Sequence, residues 1–108
     1  MDAQNPHAIA EQLEQTFKDK VCVVKLKHRA DHLASARMEI EDVYVDNDTD
    51  GNTLRFVGRV AGASQDHAMV AIPTGAGAFH ASLSEADNRA VVDGGDYQVT
   101  IIPDPVGR

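Results

Sequence analysis

The sequence predicts a mainly β (α+β) domain. It is read as one small antiparallel β-meander, curled into a barrel or a strongly bent sheet, with an N-terminal capping helix and a short helix before the last strand. Three observations support this. Met38–Val60, MEIEDVYVDNDTDGNTLRFVGRV, holds two strand-like runs around a turn dense in Asp, Asn and Gly. Short alternating or apolar runs recur on both sides of it, over 21–28, 67–72, 78–83 and 97–102. Apolar residues at spacing four, the period of a helix face, occur ahead of the first run, at Ile9, Leu13 and Phe17.

The helix is expected over 6–19. Asn5 serves as its N-cap and Pro6 occupies its first turn, where a missing N–H costs nothing. Its stripe is expected to cover an open end of the sheet, or else to meet a partner. Val21–His28 reads as a strand with Cys22, Val24 and Leu26 inward and Lys25 and Lys27 outward. Arg29–Ser35 reads as a loop. In the central hairpin Leu54, Phe56 and Val60 share a face, whereas Met38 and Ile40 are out of phase with Val43 and Val45. One extra residue near Glu41–Asp42 brings all four to one side, so a β-bulge is predicted there, and with it a curved sheet. Gly58 marks a bulge or a close backbone approach.

His67–Ile72 is apolar on both faces and reads as a central or helix-covered strand, ended by Pro73. Thr74–Gly77 is a tight connection, and Ala78–Leu83 a strand with Phe79, Ala81 and Leu83 inward. Ser84-Glu85-Ala86-Asp87 resembles a capping box, which places a short helix through about Val92, stopped by Gly94-Gly95. A strand over Ala90–Val92 is the competing reading. Tyr97–Ile102 is the last strand, closed by Pro103 and Pro105. A helix followed by a strongly bent meander is similar in layout to SH3-like and LSm-like small barrels; no motif matches either family residue by residue.

A chain of 108 residues, 43% hydrophobic, makes one domain with a real core, expected over 6–103 between loose ends at 1–5 and 104–108. The core must be aliphatic, because only 5% of residues are aromatic and none is Trp. No apolar run reaches membrane-spanning length. The N-terminus lacks a basic-then-apolar leader pattern. The lone cysteine, Cys22, excludes an internal disulfide framework and suits a reducing compartment, so a cytoplasmic location is expected.

The net charge of −7 is unevenly spread. Lys18, Lys20, Lys25, Lys27, Arg29 and Arg37 face only Asp19 and Asp31 over 18–37, whereas acids dominate before and after. The total argues against sequence-independent binding to a polyanion. Within the basic stretch, Lys25, Lys27, Arg29 and Arg37 are the candidate partner- or anion-binding residues. The structural reading sets Lys25 and Lys27 opposite Glu41 and Glu39 on a neighbouring strand.

Asp46, Asp48 and Asp50, in DNDTDGN, match the first half of a calcium loop. The twelfth position from Asp46 is Val57, where a bidentate Glu is required, and the flanks read as strands. Asx-turns with Gly51 at positive φ therefore explain the segment better. No cofactor is expected, and calcium at these aspartates is a minor alternative. Asn47-Asp48-Thr49 is a glycosylation sequon with meaning only on a secreted chain. His28, Asp31 and His32 have the donor types for a transition metal, although loop histidines are usually just solvated. Ser64, Asp66 and His67 adjoin in sequence without the spatial order of a triad. Gly75–Gly77 lacks the Lys and Ser/Thr of a phosphate loop. Cys22 reads as a buried hydrophobe.

The sequence therefore leans away from an enzyme. The leading expectation is a non-enzymatic binding or regulatory module acting through protein–protein contacts, by a protein partner or self-association, as an oligomer. The alternatives are a small-barrel nucleic-acid-binding protein using the 18–37 stretch, adding Arg55 and Arg59, and a small enzyme or ligand-binding barrel lined by histidines.

Overall fold

The computed structural model describes residues 2–3, 5–48, 51–60, 66–74, 79–84 and 89–104. Among these residues one helix, α1 (Pro6–Phe17), accompanies eight strands: β1 (Asp2–Ala3), β2 (Val21–His28), β3 (Asp31–Asp48), β4 (Gly51–Val60), β5 (His67–Pro73), β6 (Phe79–Ser84), β7 (Arg89–Gly94) and β8 (Tyr97–Pro103). They form a single sheet in the order β1-β6-β7-β8-β2-β3-β4-β5. Every neighbouring pair is antiparallel. The ladder is open, with β1 at one end and β5 at the other.

Asn5 caps α1 as expected: its Oδ1 accepts from the backbone N–H of His7 at 2.9 Å and of Ala8 at 3.3 Å. The helix stops at Phe17, and Asp19 takes a positive φ of 65°. There the chain is stitched to β3, since Asp19 N–H donates to the Ile40 carbonyl and Ile40 N–H to that of Lys20. Ile9, Ala10, Leu13 and Phe17 are buried against the sheet. The helix touches both β3 and β6, which lie far apart in the strand order, so it lies across the hollow of the bent sheet.

The predicted bulge is present. Register between β3 and β4 shifts between Ile40 and Asp42, leaving Glu41 as the extra residue. Met38, Ile40 and Val43 are consequently all buried, and Val45 packs against the same core. Gly58 faces Ile40 beside the bulge, where a Cβ would overlap the Glu39 carbonyl oxygen. Phe56 and Leu54 complete the inner face of β4 and are fully buried. The bend brings the end of β5 onto β7: a Cβ at Gly94 would lie 2.7 Å from the Pro73 carbonyl oxygen and 3.1 Å from the Ile72 side chain. Only glycine permits that approach.

Four expectations need correcting. The short helix expected through Val92 is absent there; Arg89–Gly94 form β7, the competing reading, and residues 85–88 lie outside the described residues. Ala90 and Val92 are buried with Val91 outward, a period of two that a sheet satisfies and a helix does not. The loop Arg29–Ser35 shrinks to a two-residue turn, Arg29-Ala30, because β3 begins at Asp31. That short turn sets the register, so Lys25 faces Ser35 and Lys27 faces His32, not Glu41 and Glu39. Finally, β5 is an edge strand, not a central one. In the segment expected to be loose, Asp2–Ala3 pair with Ser82 and Ala81. No helix among the described residues is long and apolar enough to cross a membrane.

Candidate functional site

The basic stretch disperses over the fold. Arg29, in the β2–β3 turn at a φ of 57°, donates its backbone N–H to the Asp96 carbonyl at 2.6 Å. Its guanidinium lies 3.7 Å from the Asp96 carboxylate. Arg37 meets Asp104 at 2.5 Å. Two of the four candidate cations therefore already face carboxylates and serve to tie β8 and its turn to β2 and β3. Lys25 stands between Ser35 and Thr100, and Lys27 between His32 and Gln98, with no ion pair to either among the described residues. Sequence reasoning missed a second bulge beside them. Register shifts between Leu26 and Lys27, so Leu33 is the extra residue and stays exposed.

The aspartate-rich turn resolves in part. Asp46 pairs with Arg55 at 2.8 Å across the hairpin. The side chain of Asp48, and Asp50 itself, lie outside the described residues. Among the described residues no three of His, Cys, Asp and Glu gather closely enough to share a metal ion. The His28 ring packs against Tyr97 at a tilt of 47° with ring centroids 4.7 Å apart, and Asp31 faces His28 across the two-residue turn. His80 approaches Asp93 at 3.4 Å, and His67 approaches Glu41 at 3.8 Å, on strands far apart in the sheet. Ser64 and Gly75–Gly77 fall outside the described residues.

Among the described residues, two titratable groups are displaced from their ordinary values. Burial pushes the Cys22 thiol up to about 11, so it is a core group and not a nucleophile. The Glu14 carboxyl on α1 is raised, first by its hydrogen bond with Asp42 beside the β3 bulge, then by desolvation and by the Asp42 charge; Lys18 and the Val43 backbone oppose the shift. No buried polar or charged side chain occurs among the described residues.

What remains is the rim of β5. Val60 N–H donates to the Asp66 carbonyl at 2.9 Å, and Thr74 N–H to that of Asn52 at 3.0 Å, bracketing the β4–β5 ladder. In an antiparallel pair, directly opposed residues alternate between bonded and non-bonded pairs. Ala68, Val70 and Ile72, opposite Gly58, Phe56 and Leu54, therefore point their peptide groups at β4. His67, Met69 and Ala71 point theirs away from the sheet. Pro73, which has no N–H to offer, occupies the next outward position, where proline is tolerated on an edge. Among the described residues Met69 is the most exposed large hydrophobe, at 55%. On the neighbouring β4, Arg59 pairs with Glu41 at 2.9 Å and Arg55 with Asp46, so the strip beside Met69 is locally neutralised. Sequence inspection saw an apolar strand here and assigned it to the interior; the lack of charge reads equally well as an open edge.

No protein family, curated protein or solved structure gives a significant match to this chain.

Proposed function

We propose that the chain is a non-enzymatic binding or regulatory module that acts through protein–protein contacts as an oligomer, and that the outer edge of β5 makes the contact. The observation that carries this reading is the alternation along β5. His67, Met69 and Ala71 direct backbone donors and acceptors outward from an edge with no Lys, Arg, Asp or Glu over His67–Pro73. Natural edge strands usually carry a lysine or an inward charge, or are covered, to discourage pairing. An uncharged edge with an exposed methionine is the geometry of strand addition, in which main-chain hydrogen bonds supply affinity. The SH3-like and LSm-like comparison extends only to the layout of helix and bent meander, and no part of this reading depends on it.

A photo-reactive amino acid placed at position 69 tests the reading. The expected result is a cross-link to another protein chain, from native-host extract or from the purified protein itself, with none from the same probe at the exposed helix residue His7. Absence of any cross-link from position 69 would contradict it.

The nucleic-acid reading keeps two candidate cations that make no ion pair among the described residues, Lys25 and Lys27, while Arg29 and Arg37 are engaged by acids. A gel that shows no shift at low salt would remove it.

A further inference from the structure

We infer that the occupant of the β5 edge is a second copy of this chain, paired antiparallel about a two-fold axis through Met69, so that two sheets become one. The inference rests on the protein-contact reading above and deepens it by naming the partner and the register.

The usable edge is short, and its limits come from the fold. At its far end the outward carbonyl of Pro73 is already approached by the Gly94 backbone, so no strand can lie beside it. Among the described residues, the outward peptide groups left without a backbone partner are those of His67, Met69 and Ala71, with Met69 at their centre. A two-fold register through Met69 sets Met69 against its mate and His67 against Ala71 of the other copy. Each copy then gives all its outward donors and acceptors to the other, as a self-complementary interface requires. A register centred on Val70 would set His67 against Pro73, which offers no N–H and whose carbonyl side is blocked. The hydrogen-bond pattern and the Gly94 contact together therefore select the Met69 register.

Electrostatics favour the same occupant. Two copies each of net charge −7 repel unless they meet where charge is absent or cancelled. The β5 strand carries no Lys, Arg, Asp or Glu, and the arginines behind it are paired with Glu41 and Asp46. At the axis, the Met69 thioethers lie side by side, covering the large apolar side chain that is most exposed among the described residues of the isolated chain.

The test uses the full chain. Sedimentation of the wild type at rising concentration is expected to approach twice the 11.6 kDa of one chain. Met69→Lys, which alters an exposed side chain and is expected to fold normally, should remain a single chain throughout. Met69→Cys should form a disulfide-linked dimer on mild oxidation, because bonded antiparallel neighbours lie ~5.5 Å apart at Cα, within disulfide reach. Ala71→Cys should not, since its symmetry mates would be roughly 14 Å apart. Cys22 is buried and does not interfere.

A wild type that sediments as one chain at every concentration overturns the second-copy inference. So does a dimer that survives Met69→Lys with no cross-link through Met69→Cys, and equal cross-linking of Ala71→Cys overturns the register. The photo-probe at position 69 separates this failure from that of the broader reading. Capture of a different protein removes the second copy and leaves the protein-contact reading standing, whereas capture of nothing removes both.

Discussion

Glu14 and Asp42 show how one contact makes folding sensitive to pH. The two carboxyls share a hydrogen bond where α1 meets the bulged strand, and the Glu14 carboxyl is held above its usual 4.5. Between 4.5 and the raised value the native state keeps a proton that the unfolded chain has released. Stability therefore falls as pH rises through that window, and the full penalty is present above it. Glu14→Gln retains a donor for Asp42 without the like charge. It is expected to melt at a higher temperature than wild type at neutral pH, with the advantage disappearing below 4.5, where Glu14 is protonated in both states. Thermal melts across pH check this, and an advantage independent of pH would contradict the account. Nothing in the sequence announces this pair, because residues 14 and 42 meet only once the bend in β3 brings the strand under the helix. Cys22 is the opposite case: its alternation with Val24 was enough to place it in the core.

At the scale of elements, legibility followed how locally each signal is decided. The α1 cap, the extent of β2 and the position of the β3 bulge were all readable, since cap chemistry and the parity of apolar residues are local and tied to a buried face. The segment before β7 misled for the same reason. Ser84-Glu85-Ala86-Asp87 has helix-starting chemistry, but the alternation of Ala90 and Val92 and the ladders to β6 and β8 decide the outcome beyond it. The register of β2 against β3 was unreadable because it depends on a two-residue turn at Arg29, a residue that rarely adopts positive φ. The β3–β4 hairpin offers a direct test of its own geometry. Gly58→Ala would press a methyl group into the Glu39 backbone beside the bulge. Overpacking of this kind costs about 1–3 kcal/mol, which in a domain of this size lowers Tm by roughly 4–20 °C. A melt within a degree of wild type would mean that β3 and β4 do not approach as described.

For the whole molecule, the mainly β class, the N-terminal helix and the bend in the sheet were legible, whereas the position of β5 and the absence of a helix over 89–92 were not. An apolar strand between two glycine-containing connections satisfies the pattern for a buried centre and for an open edge alike, and only the strand order separates them. The candidate site was correspondingly hard to see. The sequence drew attention to charges, and the fold ties most of the suggestive ones, Arg29, Arg37, Asp46, Arg55 and Arg59, into ion pairs. The feature left over is an absence of charge along one rim. The open β5 rim is therefore the central claim, and residue-resolved amide hydrogen exchange tests it most directly. The Val70 amide, bonded to β4, should be protected at every protein concentration. The Met69 and Ala71 amides should exchange rapidly in dilute solution and become protected as concentration rises. Protection of Met69 and Ala71 at the highest dilution, or rapid exchange of Val70, would contradict the account.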